Sequence, residues 1–196
     1  RLWQSRRMTS PRPLACAMVA LAAICFACSG DRSKSDAQDP NIYRHLGSDF
    51  TLTDHEGQRF VLSEHSGVSL LFFGFTSCPD VCPLTMSRLA SVMRELQRED
   101  VTVLFISVDP RRDTPERLAQ YVHEYDFPMV GLTSQDAGQI TTIARSFAAG
   151  LGRTSAGAID HSSRIYLLDA ADKVCDVFGS DDDIDHMVDA IDHVEN

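Results

Sequence analysis

An α/β sandwich is the fold class that this 196-residue sequence predicts, on three observations. Two continuous apolar runs, Ser69–Phe75 and Val101–Val108, have the pattern of strands covered on both faces. Segments with apolar residues at helical spacing separate and follow these runs, as in Met86, Leu89, Ala90, Met93 and Leu96. Hydrophobic residues make up 43% of the chain, enough at this length for one buried core.

Ahead of the folded body stands an export leader. Arg6, Arg7 and Arg12 precede the uncharged run Leu14–Ala27, which has the length of a signal-peptide hydrophobic region and is short for a membrane span. Met8 offers a start residue for it. The run ends Cys25-Phe26-Ala27-Cys28-Ser29. A small residue before a cysteine at this place resembles the lipobox of bacterial lipoproteins, so Cys28 is the expected lipid-bearing residue, although Cys25 stands where that box usually has leucine. An ordinary secretory signal is the alternative, and both describe an exported chain. The expected organisation is a signal over 1–28, a polar tether over 29–47 and one domain over 48–196.

The body opens with two short alternating segments, Phe50–Thr53 and Arg59–Leu62, joined by Asp54-His55-Glu56-Gly57, which is turn chemistry and predicts a hairpin. The Ser69–Phe75 strand runs into Thr76-Ser77-Cys78-Pro79-Asp80-Val81-Cys82-Pro83. Residues before proline avoid the helical region, so Cys82 is expected at the cap of a helix over 83–98, with Pro83 at its first position. Both sulfurs then lie near the positive end of a helix dipole, which favours thiolate. Two thiolates in one turn can close a disulfide or hold a thiophilic metal.

The second buried strand ends at Asp109-Pro110-Arg111-Arg112-Asp113-Thr114-Pro115, where Thr114 as cap and Pro115 at the first position open another helix. Met129–Thr133 reads as a short strand, and Ser134 as the cap of a helix bearing Ile140, Ile143, Ala144 and Phe147. A Gly-, Ala- and Ser-rich linker, Ala148–Ala158, leads to a strand with His161 at its entrance. A turn over 170–172 returns the chain through Val174–Phe178 to a last helix, Asp181–Val194. This order is that of an α/β sandwich of thioredoxin type with an added N-terminal β-hairpin.

Charge and cysteine usage narrow the function. Residues 1–28 hold four of the 18 Lys and Arg and none of the 28 Asp and Glu, so the remainder carries a formal charge of −14. Nucleic acid is excluded as a partner for such a surface. Of six cysteines, Cys16, Cys25 and Cys28 belong to the leader, which leaves Cys78, Cys82 and Cys175 in the body. Three is odd, so the body holds at most one internal bridge, and Cys78 with Cys82 is the natural pair. Cys175, in the returning strand, reads as a small core residue. The other six histidines share no spacing and read as surface residues.

Three motifs in one order then carry a resemblance: Phe75-Thr76-Ser77-Cys78-Pro79-Asp80-Val81-Cys82-Pro83, Ser107-Val108-Asp109-Pro110 with Asp113-Thr114-Pro115, and Asp160-His161-Ser162-Ser163. Together, from about Ser48 to the C-terminus, they resemble the Sco/SenC family of copper-assembly proteins for cytochrome c oxidase. The resemblance implies one copper ion per chain, as Cu(I), held by Cys78, Cys82 and His161. Thiolate suits soft Cu(I), and imidazole is compatible with it. Asp109, Arg112 and Asp113 are read as capping the next helix and shaping the site. The implied partners are a copper-acceptor subunit of a respiratory oxidase, a copper donor, a thioredoxin-like reductant, and a membrane reached through the Cys28 lipid on the periplasmic side. The segment before Asp160 is shorter than the family pattern, and Ala170-Ala171-Asp172-Lys173 replaces its usual D-P-x-G turn; both bear on the partner surface. The expected role is binding and transfer rather than turnover. Its rival is a thiol-disulfide oxidoreductase that uses Cys78 and Cys82 as a redox pair, and a peroxidase is weaker because Thr76 stands at the wrong spacing. His161 discriminates, since disulfide exchange needs only the two sulfurs.

Overall fold

The computed structural model describes residues 42–194 apart from 97, 154–158 and 162, with backbone alone for 151–153 and 159–161. Its strands are β1 (Thr51–Asp54), β2 (Arg59–Val61), β3 (Val68–Gly74), β4 (Val101–Ser107), β5 (Met129–Thr133), β6 (Leu151–Arg153), β7 (Ile159–His161), β8 (Ile165–Leu168) and β9 (Val174–Phe178). The helices are α1 (Val81–Glu95), α2 (Pro115–Val122), α3 (Ala137–Ser146) and α4 (Ile184–Asp192).

Seven strands form one sheet in the order β2-β1-β5-β4-β3-β8-β9. The apolar runs behave as the sequence predicts: β3 and β4 lie side by side at the centre, parallel, with Phe72 opposite Phe105 and Gly74 opposite Ser107. Strand alternation sorts their side chains onto two faces. Leu70, Phe72, Val103 and Phe105 share one core with Met86, Leu89 and Val92 of α1, Leu118 of α2 and Met187 and Ile191 of α4. Leu71, Phe73, Leu104 and Ile106 pack on the other face with Ile140, Ile143 and Ala144 of α3 and with Phe147 and Tyr166. β3 is buried along its whole length and β4 at every position but Thr102, because both faces of these strands are covered.

The N-terminal hairpin is present. Its turn is held by Asp54 Oδ1, which accepts from the amides of Glu56 at 2.9 Å and Gln58 at 2.8 Å, while Gly57 takes φ +80°. The hairpin extends the main sheet, since β1 pairs antiparallel with β5 through Thr53–Thr133 and Asp54–Leu132.

Four local expectations are corrected. α1 starts at Val81 with Asp80 at its cap, so Cys82 lies within the first helical turn and Pro83 is its third residue rather than its first. Proline is tolerated there because the first four helical amides have no partner inside the helix, and burial of Cys82 in the core outweighs the pre-proline preference. α3 is capped by Asp136, whose carboxylate accepts from Gly138 N; the Ser134 hydroxyl instead donates to Gln139 Oε1 and accepts from Asp136 N. The linker after α3 contains β6, which pairs with β7 so that Leu151 stands opposite His161. α4 is shorter than predicted and capped by Asp183, which accepts from His186 N at 2.7 Å. Thr114, by contrast, caps α2 with Pro115 at the first position, as expected.

Candidate metal centre

The centre is built where the parallel strands end. Gly74 closes β3, and a β-carbon there would come within 2.6 Å of Phe105 Cε2, 2.9 Å of Phe72 Cε1 and 3.1 Å of Cys82 Sγ. Only glycine lets the Cys82 sulfur rest against the strand at this point. Val108 N donates to Gly74 O at 2.8 Å, which ties the ends of β3 and β4 together. From there the cysteine loop turns, with Cys78 N donating to Phe75 O at 3.1 Å.

Cys78 and Cys82 meet at the start of α1. The Cys82 amide, one of the helix's orphan donors, points at Cys78 Sγ at 3.5 Å, so the first sulfur takes the part of a capping acceptor. The two differ in exposure. Cys78 is half-buried, whereas Cys82 is only 1% exposed. Burial, first, pushes the Cys82 thiol up to about 12, and the neighbouring Cys78 and Asp113 add to the effect. This corrects the expectation that both sulfurs favour thiolate, since burial favours the protonated form of Cys82. Neither cysteine is joined in a disulfide.

A second loop buttresses the first. Asp113, fully buried, accepts from Thr76 N at 3.0 Å, Thr76 Oγ1 at 2.7 Å and Ser107 Oγ at 2.6 Å. Arg117 Nε donates to Thr76 Oγ1 at 2.8 Å and lies 3.8 Å from Asp113 Oδ1. Asp109 pairs with Arg112, and its backbone carbonyl accepts from the amides of Arg112 and Asp113, both at 3.0 Å. The aspartate loop thus braces the cysteine loop, while the capping of α2 falls to Thr114. Sequence reasoning missed Thr76 and Arg117. Thr76 stands in the first motif and Arg117 two residues past the second, but no periodicity in a sequence signals hydrogen bonds between residues 37 and 41 positions apart.

His161 ends β7, four residues before β8. β8 runs antiparallel to β3, and Ile165 stands opposite Phe72. The segment that enters β8 and the cysteine loop that leaves β3 therefore belong to the same end of the sheet. The side chain of His161 lies outside the described residues, as does Cys28. Among the described residues no group of three or more His, Cys, Asp or Glu stands ready to hold a metal; what they supply is a pair of sulfur donors, which fits a soft, thiophilic ion. Cys175 stands apart from this pair on β9, where its thiol faces Asp169 Oδ2 at 3.6 Å.

A thioredoxin-like sheet with two thiols at the start of its first helix defines a dithiol protein of the α/β class. The SCO1/SenC family model matches residues 38–196, and the chain belongs to that family. A SCO2-like protein of Rickettsia conorii is 34% identical over 145 residues, which span 68% of this chain and 70% of that one. Among solved structures, copper-bound ScoI of Arabidopsis thaliana is 32% identical with a TM-score of 0.69, covering 74% of this chain and 95% of its own. Copper-bound ScoI of Bradyrhizobium japonicum is 30% identical with a TM-score of 0.65, over 76% and 99% respectively.

Proposed function

We propose that this chain is a copper carrier that delivers its ion to the binuclear copper site of an oxidase subunit during cytochrome c oxidase assembly. The cargo is one Cu(I) ion, held by Cys78 Sγ, Cys82 Sγ and the imidazole of His161. The observation that carries this reading is the meeting of two thiol sulfurs at the start of α1, in a chain similar to two proteins whose structures hold copper. A three-ligand site leaves an approach open for a ligand of the acceptor, so the ion passes by exchange between proteins. No described helix is long and apolar enough to cross a membrane; in this reading a lipid on Cys28 tethers the exported chain in the periplasm. A copper donor and a thioredoxin-like reductant complete its partners.

The test is an anaerobic Cu(I) titration of the reduced chain against a competing chelator, with His161→Ala alongside. One tight equivalent that loosens by at least about tenfold in the variant is the expected outcome, given what ligand and near-ligand losses cost metal sites. Equal affinity in the two would remove His161 from the site. Absence of tight copper, together with rapid formation and exchange of a Cys78–Cys82 disulfide, would assign the chain to thiol-disulfide exchange.

A further inference from the structure

The second motif does more than start a helix. Thr114 alone caps α2, so the carboxylate of Asp113 is not spent on its own helix. Burying a carboxylate is costly unless it is hydrogen-bonded, and the hydrogen bonds of this one reach outward. Oδ2 accepts from Thr76 N and from Ser107 Oγ, and Oδ1 accepts from Thr76 Oγ1. Thr76 is two residues ahead of Cys78, and Ser107 closes β4 beside Gly74. Arg117, the third residue of α2, completes the set by donating to the same Thr76 hydroxyl. The hydroxyl thus donates to the carboxylate and accepts from the guanidinium, which fixes its rotor.

We infer that Asp113 is the positioning residue of the dithiol loop: through Thr76 it clamps the segment carrying Cys78 to the end of β4 and to α2, and so holds the first sulfur over the second. The clamp has two anchors on Thr76, backbone and side chain, so it sets direction as well as place. Phe75, just before it, is buried in the core, and Cys78 N is tied back to Phe75 O. With Thr76 released, Phe75 remains anchored while Cys78 gains freedom. A looser loop must be ordered again each time the sulfurs close on a metal, which raises the rate of metal loss. The consequence for copper rests on the proposed function, whereas the clamp on Cys78 does not.

Three variants test it: Thr76→Val, which keeps the shape and the amide but removes the hydroxyl; Thr76→Ser, which restores the hydroxyl; and Asp113→Asn. The first readout is the rate of iodoacetamide alkylation at Cys78 in the reduced, metal-free chain, assigned by peptide mass. Thr76→Val and Asp113→Asn are expected to alkylate about threefold faster than wild type or more, because thiol reactivity follows access. Thr76→Ser is expected to return to the wild-type rate. The second readout is loss of Cu(I) to a chelator, expected about tenfold faster in Thr76→Val and rescued in Thr76→Ser, in the range that outer-shell partners contribute to metal sites. A lowered melting temperature in Thr76→Val with wild-type alkylation and wild-type copper loss would overturn the inference, since the contact would then serve stability alone. If wild type holds no tight Cu(I), the copper reading fails and the alkylation rates decide the clamp by themselves.

Discussion

Cys82 and Cys175 are both cysteines whose thiols burial pushes upward, and their surroundings differ in every other respect. Cys82 is packed into the core beside Met86 and Phe105. Its amide points at a second sulfur, and its loop is tied by Asp113 to another part of the chain. Cys175 is half-buried on β9, with its thiol toward Asp169 Oδ2 and Lys173 O. Asp169 is also paired with Arg44 at 3.2 Å. One thiol sits beside a second sulfur; the other sits against hard oxygen acceptors that favour the proton. Burial alone therefore does not make a cysteine a site. A second sulfur and a rigid frame do.

Replacing each cysteine separates the two most widely. Cys82→Ser is expected to abolish both tight Cu(I) binding and disulfide closure, read by chelator competition and by thiol counting after oxidation. Retention of one tight equivalent in that variant would place the metal elsewhere and dissolve the contrast. The frame comes next. Gly74→Ala pushes a methyl group into Phe105, Phe72 and the Cys82 sulfur, and overpacking of this kind costs about 1–3 kcal/mol in a denaturant melt. A loss of that size accompanied by weakened copper retention would tie strand and site together, whereas an unchanged melt would show that the sulfur has room to move.

A smaller effect isolates burial without partners. His65 Nε2 is buried with no hydrogen-bond partner, its ring 5.6 Å from that of Phe60, and burial lowers its pKa below 6.5. The unfolded chain then binds more protons than the folded one as pH falls below 6.5, so stability is full above that pH and declines below it. Melting curves at pH 5 and pH 7 should show this decline, and His65→Gln should reduce it; an identical slope in the variant would assign the acid sensitivity to other groups. The smallest effect belongs to the other sulfur. Cys175→Ser is expected to change stability by no more than about 0.5–1 kcal/mol and copper affinity not at all, since nothing at the dithiol loop depends on it. A copper defect there would join the two environments that the structure separates.

Much of this is legible in the amino-acid sequence. Continuous apolar runs named β3 and β4 because strands covered on both faces need no alternation. Asp54 and Gly57 marked the first hairpin through turn chemistry, and Thr114-Pro115 marked the start of α2 through capping chemistry. The cysteine pair stood out by spacing. Where local rules failed, a tertiary contact had overruled them: Cys82 entered the helix because the core took its side chain, and Asp136 displaced Ser134 as the cap of α3 while Ser134 turned to Gln139. The strand in the Gly- and Ala-rich linker was hidden because its partner, β7, supplies the pairing.

The division follows the range of the forces. Pattern, turn chemistry and capping act over a few residues, so residues 51–61, 68–74, 101–107 and 114–122 declared their conformations, and the two sulfurs their proximity, within the primary structure. The protonation of Cys82, the need for glycine at position 74 and the hold of Asp113 on Thr76 arise from atoms brought together across the sheet. Desolvation and close packing depend on what surrounds a group in space, and that is settled only when the chain has closed around it.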